Sequence, residues 1–199
     1  MAGTRDRLIT ATGELFRRQG YRGTSIKQVT TAAGAPTGSL FHFFPGGKED
    51  LADTVLRSSG AAYRELFEVI YAAAADMPSA VTDFFDGAAL VLEETDYLDA
   101  CPIGTVALEV ASTNDRLRAT TAEVFQSWLD AATLHLRAAG VEAARANDLA
   151  IVLVAAVEGG FMLSRAARSP EPMRAAGRLM RELVEATLAS SNPHATSGA

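Results

Sequence analysis

TSIKQVTTAAGAPTGSLFHFFPGGK, residues 24–48, is the stretch that decides the fold of this chain. Ser25 followed three residues later by Gln28 is the pattern of a capping box, which predicts that a helix begins here. Apolar residues then recur at helical spacing and give that helix one face to bury. Gly34 is expected to end it, because the residue just past a helix end often needs a positive φ angle.

A second short helix is predicted over residues 38–43, with Thr37 as its N-terminal cap and Pro45 just behind its end. Two short helices joined by a tight turn form a helix-turn-helix. The exposed side of the second helix carries small or polar residues, which would let the backbone approach another surface closely. Its N-terminus would offer N–H groups and partial positive charge to a phosphate. The stretch alone also fits an ordinary helical hairpin.

Charge is distributed unevenly along the chain, whose formal net charge is −6. Residues 1–48 contain seven basic and two acidic side chains, which gives this part a net charge of +5. The rest of the chain has eleven basic and 22 acidic side chains, a net charge of −11. A basic head on an acidic body indicates that only the head meets a polyanion, which favours DNA binding over a plain hairpin.

Composition predicts an all-α protein, because the 199 residues are rich in Ala, Leu and Glu and poor in alternating β-branched runs. A single cysteine excludes an intramolecular disulfide framework. The first ten residues lack the apolar segment of a signal peptide, and the longest apolar run, 149–157, is far shorter than a membrane span. We therefore expect a soluble cytoplasmic protein without membrane contact.

Helical periodicity predicts seven further helices around the helix-turn-helix, at 4–19, 48–75, 79–95, 102 to before 114, 114–139, 142–157 and 172–190. Residues 149–157 are apolar all round, which predicts burial on every side. Glu158 and the two following glycines are expected to interrupt the helix. The tail, 191–199, has a composition typical of disorder.

Residues 5–60 resemble the N-terminal domain of TetR-family transcriptional regulators. The resemblance rests on an aromatic residue and a glycine before the first turn, the Thr-Ser cap, AAG, a Gly-Ser-Leu-aromatic run and Lys-Glu-x-Leu. Residues 101–111, CPIGTVALEVA, resemble the ligand domain of the LmrA/YxaF-type branch. The family implies a three-helix DNA-binding head over 1–48, a larger helical ligand-binding and dimerisation domain over 49–190, and a disordered tail over 191–199.

The family's DNA contacts, carried onto this sequence, fall on the helix-turn-helix and on the residue that opens the next helix. The implied DNA-binding residues are Thr24, Ser25, Pro36, Thr37, Gly38, Ser39, Phe41, His42 and Lys48. Thr24, Ser25 and Lys48 would hold phosphate, whereas residues 37–39 would face the groove. Phe41 stands where the family usually has tyrosine, so the bond from that hydroxyl to phosphate is absent here.

Aromatic and apolar residues of the predicted body helices are candidates to line an effector pocket. They are Tyr63, Phe67, Phe84, Phe85, Leu92, Cys101, Phe125, Trp128, Glu158, Phe161 and Met162. For any single aromatic residue of this set, simple packing against neighbouring helices is the more common role. Glu158 lies in an apolar run, where it could bind a ligand hydroxyl or amine or hold a helix contact. The family implies that residues 101–111 press on the helix predicted over residues 48–75.

The sequence contains no recognisable catalytic or metal-binding constellation. His42, His135 and His194 are far apart and form no HxxxH pair. Cys101 is the only thiol, and a small buried residue is its favoured role. No nucleophile elbow, phosphate-binding loop or dinucleotide fingerprint occurs. We therefore expect a protein that is not an enzyme and that requires neither a metal nor a cofactor.

These observations together predict a ligand-responsive DNA-binding transcriptional regulator. We expect a repressor that a small hydrophobic or aromatic effector releases from double-stranded operator DNA. The eighth and ninth predicted helices, which are apolar all round or strongly amphipathic, exceed what one small body needs to cover. They predict a homodimer interface, as in the family. Its two heads would enter successive major grooves about 34–36 Å apart. The alternative is a helical adaptor that binds protein without operator recognition and would not need the basic head.

Overall fold

The computed structural model describes residues 3–191, and these residues form nine α-helices and no strand. The helices are α1 (Thr4–Gln19), α2 (Ile26–Ala32), α3 (Thr37–Phe43), α4 (Lys48–Ala73), α5 (Met77–Glu94), α6 (Pro102–Val110), α7 (Asp115–Ala138), α8 (Ala143–Ala167) and α9 (Glu171–Ser191). The all-α prediction is confirmed. The predicted disordered tail lies outside the described residues, except for Ser191, which is the last residue of α9.

Several helix ends follow the local sequence signals. The capping box before α2 is complete: Gln28 N–H donates to Ser25 Oγ at 3.2 Å, and Ser25 N–H donates to Gln28 Oε1 at 2.8 Å. Gly34 follows α2 with a φ angle of +56°, and Gly140 follows α7 with a φ angle of +104°. Both positions need the left-handed backbone that glycine adopts without steric cost.

Two helix starts differ from the prediction. The residue before α3 is Pro36, and Thr37 is already the first helical residue, so no side chain caps this helix. The helix α5 begins at Met77 rather than at residue 79, because the Asp76 carboxylate accepts a hydrogen bond from Ser79 N–H at 2.8 Å. An aspartate in that place is a strong helix-starting signal.

The predicted interruption of α8 is wrong, since the helix runs unbroken from Ala143 to Ala167 through Glu158 and both glycines. Gly160 has a packing role there: a Cβ atom at this position would lie 2.8 Å from the Met173 sulfur of α9. The helix is therefore held by its neighbour where its own propensity is weak.

Burial on every side of residues 149–157 is also wrong within one chain, because Ile151 and Val152 are 47% and 42% exposed. The helix α8 as a whole is more apolar than the run 149–157 suggested. Its best 18-residue window has a mean hydropathy of 1.7, which by length and composition would be enough to cross a membrane. An apolar core helix of a soluble protein meets the same criterion. In this structure α8 packs against α9 and α5.

The described chain divides into two compact units. The first comprises residues 3–63 and 98–125, which hold α1 to α3, the first part of α4, α6 and the beginning of α7. Its core includes Leu8, Phe16 and Leu40, all of them fully buried. The second unit comprises residues 64–97 and 126–191, which hold the rest of α4, α5, the rest of α7, α8 and α9.

Candidate nucleic-acid interface

The N-terminal half of α3 presents an open surface. Pro36, Thr37 and Gly38 are exposed, whereas Leu40 on the opposite side of the helix is fully buried and fixes which face points outward. A Cβ atom at Gly38 would meet no atom within 4 Å. A duplex can therefore approach the backbone of this helix closely.

The C-terminal half of α3 exposes aromatic side chains. Phe41 is 47% exposed and Phe43 is 37% exposed, and the His42 ring meets the Phe43 ring edge-to-face at 4.9 Å between centroids. Phe41 lies along the loop before α4, where its Cε1 atom would be 3.3 Å from a Cβ atom at Gly47. Exposed rings of this kind can contact thymine methyl groups and sugars, while His42 can hydrogen-bond to a base edge or a phosphate.

Lys48 opens α4 beside this surface. Its ammonium nitrogen lies 4.1 Å from the centroid of the Tyr21 ring, a cation–π contact that keeps the charged end near the start of the helix. Partial burial lowers the pKa of Lys48, and the neighbouring Glu109 carboxylate offsets only part of this effect. An incompletely hydrated cation at this position is well suited to bind a phosphate.

Raising the pH from about 7.5 to about 9.5 is expected to weaken DNA binding by the natural protein more than binding by Lys48→Arg, because the pKa of Lys48 is lowered by burial. Burial lets free Lys48 lose its proton below the usual lysine range, whereas a bound phosphate favours the charged form. Binding of DNA therefore takes up a proton, and the affinity falls as the pH rises through the pKa of Lys48 in the free protein. Affinities measured across this range for the natural protein and for Lys48→Arg, which stays charged, test the assignment. Equal pH dependence in the two proteins would contradict it.

Thr24 and Ser25 are less available to phosphate than the sequence suggested. The Thr24 side chain is 1% exposed, and its hydroxyl donates to the Gly20 carbonyl at 2.7 Å, so it fixes the entry into α2 instead of facing DNA. Ser25 is exposed, but its hydroxyl donates to Gln28 Oε1 at 2.8 Å within the capping box. The family motif did not predict the bond from Thr24 to Gly20, whereas the spacing of Ser25 and Gln28 did predict the capping box.

Three of the seven basic residues of the head are bound by residues of the segment 98–125. Asp99 pairs with both Arg17 and Arg18, at 3.0 Å in each case. Arg22 donates from its guanidinium to Thr113 Oγ1 at 3.0 Å and from its backbone N–H to a Glu109 carboxylate oxygen at 2.6 Å. Sequence reasoning missed Asp99 and Glu109, because their partners lie more than 80 residues away in the chain.

The residues predicted to line an effector pocket are divided between the two compact units. Tyr63, Cys101 and Phe125 lie in the first unit, and the other eight lie in the second. Cys101 is buried and caps α6, where its sulfur accepts a hydrogen bond from Gly104 N–H at 3.5 Å. Met162 is 61% exposed on the outer face of α8, so it lines no interior space in a single chain.

The second unit contains an aromatic row that joins several of the predicted lining residues. The Phe67 and Phe84 rings meet edge-to-face at 5.8 Å between centroids, and the Phe84 and Phe85 rings follow at 6.4 Å. Phe85 is almost fully buried, as are Leu92 and Phe161. Trp128 and Glu158 are half-buried in the same unit.

His135 extends this row, although the sequence alone suggested no partner for it. Its ring lies 3.9 Å from the Tyr71 ring and 5.8 Å from the Phe67 ring, and its Nε2 atom is 2.6 Å from a Glu68 carboxylate oxygen. The Glu68–His135 pair adds a polar group to an otherwise apolar surrounding. Among the residues that the structure describes, no group of three or more His, Cys, Asp or Glu side chains could hold a metal ion.

An exposed recognition helix that opens on small residues, set on a basic three-helix core, defines a DNA-binding protein of the helix-turn-helix class. The family model for bacterial regulatory proteins of the tetR family matches residues 8–55. The family model for the C-terminal domain of LmrA/YxaF-like transcriptional regulators matches residues 78–179. The chain belongs to the TetR family of transcriptional regulators, in the branch with an LmrA/YxaF-like C-terminal domain.

Individual relatives agree with this assignment. The HTH-type transcriptional regulator LmrA of Bacillus subtilis (strain 168) is 33% identical over 177 residues, which cover 85% of this chain and 90% of that protein. The uncharacterized HTH-type transcriptional regulator YxaF of the same strain is 31% identical and covers 85% of this chain and 89% of its own length. The crystal structure of a TetR transcriptional regulator from Legionella pneumophila superposes with a TM-score of 0.82 at 21% identity, covering 92% of this chain and 98% of that one.

Membership of this family has direct consequences for the class of activity. TetR-family regulators bind operator DNA, act as homodimers and respond to small effectors. The protein is thus a transcriptional regulator and not an enzyme. The matches give no support to the alternative of a protein-binding adaptor.

Proposed function

We propose that this protein is a repressor that binds operator DNA as a homodimer and leaves it when a small hydrophobic or aromatic effector binds. The observation that carries the proposal is the open N-terminal face of α3, where Thr37, Gly38 and Ser39 lie outside the fully buried Leu40. An exposed helix face made of small residues allows the helix backbone to enter a major groove closely.

The proposed DNA contacts fall into two groups. Thr37, Gly38, Ser39 and His42 face the base edges, because they lie on the open side of α3 or at its end. The Lys48 ammonium holds a phosphate, whereas Ser25, Pro36 and the exposed Phe41 ring pack against the sugar-phosphate backbone. Thr24 supports this surface from below through its bond to Gly20.

We assign DNA binding to residues 1–48, and effector binding and dimerisation to residues 49–190. A dimer through α8 and α9 is supported by apolar side chains that have no cover in a single chain. They are Ile151, Val152, Met162, Leu163 and Leu179, which are 42–61% exposed. Their positions on α8 recur every three to four residues, with Ala155 and Gly159 between them, so they form one stripe that a second copy can approach closely.

A small aromatic effector is supported by the row of Phe67, Phe84 and Phe85 together with the half-buried Trp128. Aromatic rings of a ligand pair well with such side chains, and the Glu68–His135 pair offers one polar group for orientation. The proposed response is a shift of residues 101–111 that reaches the head. Its route runs from α6 to α1, since α6 packs against α1. A few kcal/mol of differential affinity between two arrangements is enough to release the operator.

The test of this function is selection of genomic DNA fragments by the purified protein, followed by footprinting and measurement of affinity at low and high salt. The expected result is protection of a pseudo-palindrome whose affinity falls by about 10³-fold or more between about 50 and 200 mM salt. A library of aromatic compounds is then screened for release of the selected fragment. A protein that retains no fragment in a salt-sensitive manner would refute the proposal. The cytoplasm is the compartment in which such a protein would act.

A further inference from the structure

The connector between α5 and α6 contains two adjacent non-glycine residues in left-handed backbone conformation. Asp96 has a φ angle of +51° and Tyr97 a φ angle of +59°. Residues with a Cβ atom seldom adopt this conformation, and two in succession persist only where the surrounding structure holds them. Strained backbone of this kind is concentrated in segments that have a functional role.

The C-terminal end of α8 holds the connector in place. Arg168 pairs with the Asp96 carboxylate at 2.6 Å, and its guanidinium lies 5.8 Å from the centroid of the Tyr97 ring. Arg165 donates from Nε to the Tyr97 carbonyl at 3.2 Å. Arg168 is itself left-handed, with a φ angle of +48°, as the residue that terminates α8. Two arginines at one helix end thus make three contacts with the two strained residues.

Asp99 follows Tyr97 by two residues and binds the end of α1. Its two carboxylate oxygens are used separately: Oδ2 accepts from Arg17 Nε and Oδ1 accepts from Arg18 Nε, each at 3.0 Å. The Asp99 side chain is only 13% exposed, so this double contact is shielded from solvent. A carboxylate with both oxygens engaged by neighbouring arginines restrains the position of the helix that carries them.

Glu109 on α6 adds a second attachment close to the first. Its carboxylate accepts the Arg22 backbone N–H and lies against Gly20, where any Cβ atom would collide with it. Asp99 therefore binds the last turn of α1, and Glu109 binds the loop that leads into the helix-turn-helix. Because the three helices of the head share one core, the recognition helix follows the end of α1.

We propose that Asp99 is a positioning residue for DNA binding, because it fixes the end of α1 within the compact unit that contains the recognition helix. The inference rests on the proposed function, since it concerns how that function is controlled. Asp99 does not itself contact DNA. It acts by pairing with Arg17 and Arg18, and this pairing also keeps their positive charges from binding DNA phosphates.

The decisive experiment compares Asp99→Asn with Asp115→Asn in the full-length protein. Both changes remove one negative charge at nearly constant size, but the Asp115 side chain is 98% exposed and lies 3.4 Å from Arg118. The probes are a genomic fragment selected by the natural protein and a duplex of equal length without the site. Asp99→Asn is expected to bind the selected fragment about tenfold more weakly and the plain duplex equally or more tightly, because two arginine charges are released. Asp115→Asn should change both affinities less than about twofold.

One further variant guards against a loss of folding. Asp99→Glu keeps the carboxylate and should recover part of the preference for the selected fragment. If the selected-to-plain affinity ratio of Asp99→Asn equals that of Asp115→Asn, the proposal is overturned. If Asp99→Asn does not fold, a ratio in Asp99→Glu equal to that of the natural protein overturns the proposal, because the longer side chain moves the carboxylate. A natural protein that shows no preference at all would instead refute the proposed function.

Discussion

Gly38→Glu is expected to remove operator binding, with a loss of affinity of at least about a hundredfold, or roughly 3 kcal/mol. Gly38 lies on the open face of α3, and nothing within 4 Å would obstruct a side chain there in the free protein. In the complex, however, the same side chain would bring bulk and a negative charge into the groove of a polyanion. Fluorescence anisotropy with a labelled operator fragment measures the loss.

Gly87→Glu is the matched control for this prediction. Gly87 is an exposed glycine inside α5, and a Cβ atom there also meets nothing within 4 Å. Both substitutions raise helix propensity, so neither should lower the thermal stability of the fold. Only the variant in α3 should lose operator affinity. If the two variants bind the operator equally well, α3 is not the element that enters the groove.

Val152→Glu is expected to convert the dimer into monomers and to reduce operator affinity by about a hundredfold or more. Val152 is 42% exposed in one chain, so the free subunit can accept a glutamate at this position. Closing the proposed α8–α9 interface over it would bury an unpaired carboxylate, which costs several kcal/mol. A monomer also has only one head and loses the gain from binding two half-sites together.

Val91→Glu provides the comparison, since Val91 is a similarly exposed valine, 47% accessible, on α5 and outside the proposed interface. Sedimentation analysis should give twice the chain mass of 21.0 kDa for this variant and a single chain mass for Val152→Glu. Two dimeric variants would place the subunit interface elsewhere. Two folded monomers would indicate that any added charge on the body disrupts assembly.

Local sequence signals were sufficient for most helix ends but not for all of them. The Ser25 capping box and the glycines after α2 and α7 act within a few residues, so they can be read directly. The start of α5 differs from the predicted residue 79 because Asp76 caps the helix, and aspartate is equally common in turns. The continuity of α8 at Gly160 depends on contact with Met173 of α9, which no local pattern contains.

The candidate site was also predictable only where it depends on neighbouring residues in the sequence. Family resemblance placed the open face of α3 correctly on the surface, because the helix-turn-helix is a short contiguous motif. It assigned Thr24 to phosphate, although the side chain turns inward to Gly20. The carboxylates of Asp99 and Glu109 carry no signal at all in the sequence, since their roles arise only when segments 82 and 87 residues apart meet.

Asp99 and Glu109 also set a rule for building chimeric sensors from this scaffold. The compact unit that holds the recognition helix is made of two stretches of chain, 3–63 and 98–125. A transplant of the N-terminal segment alone would leave the recipient's own residues facing the donor arginines. Exchanging both stretches, with junctions at 63–64, 97–98 and 125–126, would transfer the recognition helix together with the two carboxylates that hold it in place.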